Sequence, residues 1–235
     1  GGFFVEGYGM TETSPIVAGT PMGPTRRLGA LGLPFPSTDV RVVDPEALEA
    51  ALGAGAPVDV DVEVPDGEPG ELLVRGPQVF AGYWDDEEAT AAAMLPGGWL
   101  RTGDMVRRED SFLWMADRRR ELILTGGFNV YPSQVEAAIR DMDGIADAAV
   151  IGLDGGADGE LVCAAVVLDA GAPAGSLTLE DVRSHAERTL PHYALPRRLE
   201  IIDEIPRSAI GKVLRRVVRE QITRNEHPAS KQTST

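Results

Sequence analysis

One cysteine and three histidines are all that this 235-residue chain offers of the side chains most used for redox and metal chemistry, and only two of its 22 basic residues are lysines. Cys163 stands alone within the apolar run Leu161-Val162-Cys163-Ala164-Ala165-Val166-Val167, which excludes a disulfide or cysteine-metal framework and predicts a buried packing thiol. No apolar run approaches the roughly 18 residues of a membrane span, and the first residues lack a basic stretch leading into a long apolar one. The expectation is a cytoplasmic protein without a transmembrane segment, peripheral membrane contact and oligomeric state being left open. Positive charge is scarce as well. A net charge of −15 argues against nucleic acid as a partner, because phosphates need a basic face.

What is present is 43% hydrophobic residues, enough for one or two globular domains, with two the better fit to the length. Ten carboxylates lie between Asp39 and Glu71 against the single base Arg41. Within that segment Val58-Asp59-Val60-Asp61-Val62-Glu63-Val64 alternates strictly, which predicts a strand with one wet face and disfavours a calcium loop, whose ligands would converge. Phe3-Phe4-Val5 reads as a strand with no turn before it, so the chain is expected to begin inside a domain and to be part of something longer. Further strands are expected at 40–43, 71–75, 105–107 and 112–115, with short helices at 46–52 and 85–94. After Asp117 strand and helix alternate. Pro132 opens a helix to about Met142, and strands follow at 148–151 and 161–168. Thr178 and Asp181 form a capping-box pattern ahead of a helix to Leu190. A strand at 199–202 and a helix from about Lys212 to Ile222 precede a polar tail, 224–235, expected to be disordered. No internal repeat is visible.

Of the two lysines, Lys212 is the one outside the tail, in Pro206-Arg207-Ser208-Ala209-Ile210-Gly211-Lys212-Val213. A lysine is a compact point charge on a flexible stem, whereas arginine is a planar fork, so position 212 suits a task at a phosphate or carboxylate. A stray lysine in an arginine-rich chain is the plain alternative. Generic phosphate loops fail here. A Walker loop needs glycine at position 206 and a hydroxyl at 213, and Gly7-Tyr8-Gly9-Met10-Thr11-Glu12 ends in glutamate where a dinucleotide fingerprint needs glycine.

Four blocks in fixed order are more telling: Glu6-Gly7-Tyr8-Gly9-Met10-Thr11-Glu12, Gly98-Trp99-Leu100-Arg101-Thr102-Gly103-Asp104, Asp117-Arg118-Arg119-Arg120-Glu121 running on to Thr125-Gly126-Gly127-Phe128-Asn129-Val130-Tyr131-Pro132, and Pro206 to Lys212. With Glu68-Pro69-Gly70-Glu71-Leu72-Leu73-Val74-Arg75-Gly76-Pro77 and Gly82-Tyr83-Trp84 between them, they resemble the adenylate-forming superfamily, and most of all long-chain fatty acyl-CoA synthetases. The resemblance covers nearly all but the tail.

That resemblance implies a two-step ligase. A fatty acid or other carboxylate attacks the α-phosphate of ATP to give acyl-AMP and pyrophosphate, and coenzyme A then displaces AMP. It implies a bridging role for Lys212, Mg²⁺ binding by Glu12, an α-phosphate contact from Thr11, ribose contacts from Asp104 and Arg118, Tyr8 against adenine and close backbone approach at Gly9. Arg120 matches the hinge position, although relatives often carry aspartate or lysine there, and Gly126 and Gly127 match the loop lining the CoA path. The implied fold is mixed α and β: residues 1–116 as the end of a large AMP-binding domain with a distorted β-barrel subdomain, a hinge at 117–120, and a small α+β domain at 121–223.

Two departures qualify the match. The glycine- and threonine-rich phosphate loop of the family is absent from these 235 residues, so the chain alone is expected to be inactive. Position 194, where relatives frequently carry lysine, is Ala194, which puts a contact to CoA phosphates in doubt. The alternatives are an adenylation enzyme that loads a carrier protein and a catalytically inactive binding fragment.

Overall fold

The computed structural model describes residues 5–57, 61–171, 175, 177–208 and 211–226, which form two compact units, 1–120 and 121–235. Both mix α and β. No helix among the described residues is long and apolar enough to cross a membrane.

In the first unit β1 (Gly7–Tyr8), β2 (Ala18–Gly19) and β3 (Leu33–Pro34) make a small antiparallel sheet. A second, five-stranded antiparallel sheet contains β4 (Asp39–Val43), β5 (Gly70–Arg75), β6 (Met94–Leu95), β7 (Trp99–Glu109) and β8 (Phe112–Arg118). Leu72, Leu73 and Val74 of β5 are fully buried because the sheet is covered on both faces. Leu72 and Val74 join a core with Tyr8, Val17, Val106 and Leu113, while Leu73 joins Leu48 and Trp99. Each such side chain contributes roughly 1.5–3 kcal/mol by leaving water. Leu48 comes from α1 (Pro45–Gly53), which starts where Asp44 accepts hydrogen bonds from the Glu46 and Ala47 amides and Pro45 presets the first turn. The other helix of this unit, α2 (Glu87–Ala93), is capped by Asp86.

The second unit is built on the order β11–β12–β13: β11 (Ile145–Asp154) runs antiparallel to β12 (Glu160–Leu168), which pairs in parallel with β13 (Arg198–Ile201). Alternate residues face opposite cores, as period-2 strands require. Ala148, Val150, Val162, Ala164 and Val166 pack with Val135 and Ile139 of α3 (Pro132–Arg140) and Val182 of α4 (Leu179–Ala186). Ala149, Ile151, Cys163 and Ala165 pack on Val218 and Ile222 of α5 (Arg215–Glu226). Cys163 is thus a buried packing residue. A hairpin, β9 (Ile123–Thr125) and β10 (Phe128–Val130), precedes α3.

Several expectations are corrected. The strand expected at 105–107 begins at Trp99. The capping box at Thr178 and Asp181 is present, but its helix stops at Ala186, the chain continuing in turns to Leu190. The last helix starts at Arg215 and not at Lys212, because Val213 is engaged in a bridge with Arg207. It also runs to Glu226, so residues 224–226 are helical, while the rest of the expected tail, 227–235, lies outside the described residues. β8 ends at Arg118, so it takes in Asp117 and Arg118. Val5 is not in a strand, and residues 3 and 4 lie outside the described set. Residues 58–60 do too, but Val62 and Val64 are half-buried beside β4 while Asp61 and Glu63 face water.

Candidate functional site

In the first unit the site grows from an irregularity in β7. Leu73 pairs with Arg101 and Glu71 with Met105, so a single residue of β5 opposes residues 102–104. Gly103, at φ +68°, absorbs the extra length. Thr102 stitches it, its hydroxyl donating to the Leu72 carbonyl at 2.8 Å and accepting from the Asp104 amide at 3.1 Å. Asp104, 8% exposed, is presented at the end of this bulge.

The Tyr8 hydroxyl donates to Asp104 Oδ2 at 2.7 Å, and Arg118 Nε lies 3.5 Å from Oδ1. Burial, reinforced by the neighbouring carboxylate, pushes the Tyr8 phenol far above its ordinary pKa, so it remains a donor. Each carboxylate oxygen keeps a lone pair beyond its protein contact, so Asp104 is a pre-oriented double acceptor. Tyr8 itself is buried among Val17, Ala18 and Leu72. Its hydroxyl is the atom that meets Asp104.

Thr11 and Glu12 sit in the turn Thr11–Thr13, which Thr13 ties by donating to the Met10 carbonyl at 2.9 Å and accepting from the Met10 amide at 3.1 Å. Glu12 Oε1 accepts from the Tyr83 hydroxyl at 2.8 Å. Among the described residues no group of three or more His, Cys, Asp or Glu side chains could hold a metal ion. Glu12 is the carboxylate of this turn that could contribute to holding a hard cation. Gly9 has a packing reason for its identity, since a Cβ there would sit 1.7 Å from the Pro15 carbonyl oxygen.

The segment between the units is anchored on either side. Arg119 pairs with Glu49 at 2.7 Å and approaches the buried Glu71 at 3.6 Å. Glu121 pairs with Arg215, which also holds Glu136. Between them Arg120 is exposed and, among the described residues, has no ion pair.

In the second unit Gly126 (φ +56°) and Gly127 (φ +81°) form the two-residue turn of the β9–β10 hairpin, a conformation open to glycine without strain. Lys212 is exposed on a tight loop, where the Ser208 amide donates to the Lys212 carbonyl at 2.8 Å and the Lys212 amide to Ser208 Oγ at 3.2 Å. Ala194, in a short turn, is buried.

The structure thus brings Tyr8, Asp104 and Arg118 together in one unit, with Thr11, Glu12 and Gly9 on the turn after β1. Lys212, Gly126 and Gly127 belong to the other. Thr102, Thr13 and Tyr83, which shape the site, were not singled out from the sequence: Thr102 and Tyr83 reach partners 30 and 71 residues away, while Thr13 bonds Met10 only three residues back and was locally readable.

Residues 1–84 match the model of the AMP-binding enzyme and residues 134–212 that of the AMP-binding enzyme C-terminal domain. A long-chain-fatty-acid–CoA ligase of Escherichia coli O6:H1 is 40% identical over 222 residues, 94% of this chain and 36% of that protein. Another, from Bacillus subtilis, is 40% identical over 228 residues, 97% of this chain and 38% of the relative. The crystal structure of ATP-bound MatB from Rhodopseudomonas palustris superposes with a TM-score of 0.78 at 33% identity, over 92% of this chain and 40% of that one. The chain therefore spans a little over a third of the length of these curated relatives. With matches to both family models and 40% identity along almost its entire length, it belongs to the AMP-binding enzyme family.

Proposed function

We propose that this chain is the C-terminal part of a cytoplasmic, ATP-dependent fatty acyl-CoA ligase, and that its two units serve successive half-reactions. The observation that carries the reading is the Asp104 carboxylate, buried, fixed by Tyr8 and Arg118 and left with free lone pairs, in a chain of this family. The five-stranded sheet is read as the barrel subdomain of the nucleotide-binding domain, and 121–226 as the small α+β domain.

In this account Asp104 accepts the two ribose hydroxyls of ATP, with Arg118 beside it. Thr11 donates to the α-phosphate. Glu12 would hold a Mg²⁺, which when bound would supply charge neutralisation at the phosphates. Lys212 approaches both the substrate carboxylate and the α-phosphate, offsetting the repulsion of two anions where negative charge accumulates. The carboxylate oxygen forms a bond to α-phosphorus as the bond to the pyrophosphate leaving group breaks. In the second step the coenzyme A thiolate attacks the acyl carbonyl and AMP departs. Rotation at Arg120 exchanges Lys212 for the Gly126-Gly127 turn, whose lack of side chains leaves room for pantetheine.

The test uses a protein carrying this chain together with the upstream length of its relatives, assayed for fatty-acid-dependent exchange of pyrophosphate into ATP. Asp104→Ala should lower kcat/KM for ATP by about 10- to 100-fold, the scale of a charged hydrogen bond of roughly 1.5–3 kcal/mol. It should also erase the penalty for replacing ATP with 2′-deoxy-ATP. If the variant discriminates against the deoxynucleotide as strongly as the parent, Asp104 is not the ribose acceptor.

A further inference from the structure

We infer that Arg207 is a positioning residue for Lys212, acting through the backbone of the loop that carries the lysine. The inference rests on the proposed role of Lys212 in the first half-reaction and adds what holds it in place. A lysine stem is flexible, so the ammonium can be directed only as well as its backbone is fixed.

Hydrogen bonds between described residues on either side of 209–210 close the two ends of this loop on each other. The Gly211 amide donates to the Ser208 carbonyl at 2.8 Å and the Leu214 amide to the Pro206 carbonyl at 2.8 Å, with Gly211 at φ +80°. Besides the packing of Ile205 and Val213 on the Ile151–Cys163 core, Arg207 supplies a polar attachment at Gly211. Its Nη1 donates to the Gly211 carbonyl, immediately before Lys212, at 2.8 Å, and its Nη2 to Asp147 Oδ2 at 2.6 Å. The two bonds leave from different nitrogens of one rigid plane, a reach that the single nitrogen of an ammonium does not reproduce at both places.

Asp147 is itself fixed. It lies where the β11–β12 register shifts, and its Oδ1 accepts from Arg140 Nε at 3.1 Å and from the Ala148 amide at 2.8 Å. Arg140 also donates to the Ala148 carbonyl at 2.6 Å and pairs with the buried Glu136, which Arg215 holds from the start of α5. The loop is thereby tied at Gly211 to the central sheet and to α3. The side chains of Arg207 and Asp147 are 38% and 26% exposed, a setting in which an ion pair adds little to global stability. The arrangement is better explained by where it puts the Gly211-Lys212 backbone than by how much it stabilises the fold.

The test is a four-member cycle in the full-length protein: the parent, Lys212→Ala, Arg207→Ala and the double variant. Acyl-AMP formation is followed by pyrophosphate exchange, and thioester formation from presynthesised acyl-AMP and coenzyme A is measured separately. Misplacing a reacting group by about an ångström costs up to about 100-fold. Arg207→Ala should therefore lower kcat for adenylation by about tenfold or more, leave KM for ATP within about twofold, spare the thioester step and add nothing on top of Lys212→Ala. Independent losses that multiply in the double variant would overturn the inference, and so would near-normal adenylation by Arg207→Ala. Should Arg207→Ala not fold, Arg207→Lys decides: a comparable loss supports the two-armed role and normal turnover overturns it. Retention of adenylation by Lys212→Ala alone would instead contradict the role of Lys212 on which the inference rests.

Discussion

At Gly9 a single methyl group separates a packing requirement from simple tolerance. Alanine there would place Cβ 1.7 Å from the Pro15 oxygen and 2.8 Å from the Ile16 Cα, both backbone atoms that no rotamer change can move. Gly9→Ala should destabilise the first unit by about 3 kcal/mol, the upper range for overpacking, and disturb the neighbouring Tyr8–Asp104 bond. Urea unfolding of the variant checks this, and a change below about 0.5 kcal/mol would show that the turn yields. Gly126 differs, since a Cβ there meets open space and only its φ of +56° resists substitution. Lys212, Asp104 and Glu12 stood out in the sequence because each ends a block of adjacent residues that carries the family resemblance. The bond from Tyr8 to Asp104, 96 residues away, did not, because no local pattern encodes it.

At the scale of elements, what was legible followed from local chemistry. Pro45 and Pro132 open their helices, and Thr178 with Asp181 closes a capping box, each a matter of three or four adjacent residues. The misses came from pairing at a distance. The strand expected from 105 begins at Trp99, residues 99–104 being carried in it by pairing with β5, β6 and β8, and Lys212 to Leu214 reads as helix but is held extended by Arg207 and Pro206.

The bulge in β11 has a consequence for acid stability. Partial burial works against ionisation of Asp147, but hydrogen bonds from Arg207, the Ala148 amide and Arg140 outweigh it and hold its carboxyl below the ordinary range. A depressed folded pKa gives stability that is present above the unfolded value, about 3.9, and lost as pH falls through the folded one. Asp147→Asn should therefore be less stable than the parent at neutral pH, with the difference closing below about pH 4. Urea midpoints across that range test it, and a gap that stays constant to pH 2 would assign the effect to packing.

For the whole molecule, the division into two units at Arg120 and Glu121 is the feature from which the proposed mechanism follows. Arg119 is tied within the first unit through Glu49, and Glu121 within the second through Arg215, while Arg120 between them has no ion pair among the described residues. A proline at 120 restricts φ to about −65° and removes a donor, which should hold one orientation. The direct test of the two-step account compares Lys212→Ala and Arg120→Pro in the full-length protein, measuring fatty-acid-dependent pyrophosphate exchange and thioester formation from presynthesised acyl-AMP side by side. Opposite patterns are expected: Lys212→Ala should lose adenylation by about 10²- to 10³-fold and keep thioester formation, while Arg120→Pro should keep adenylation and lose thioester formation. Equal loss of both half-reactions in both folded variants would contradict the assignment of the two units to successive steps.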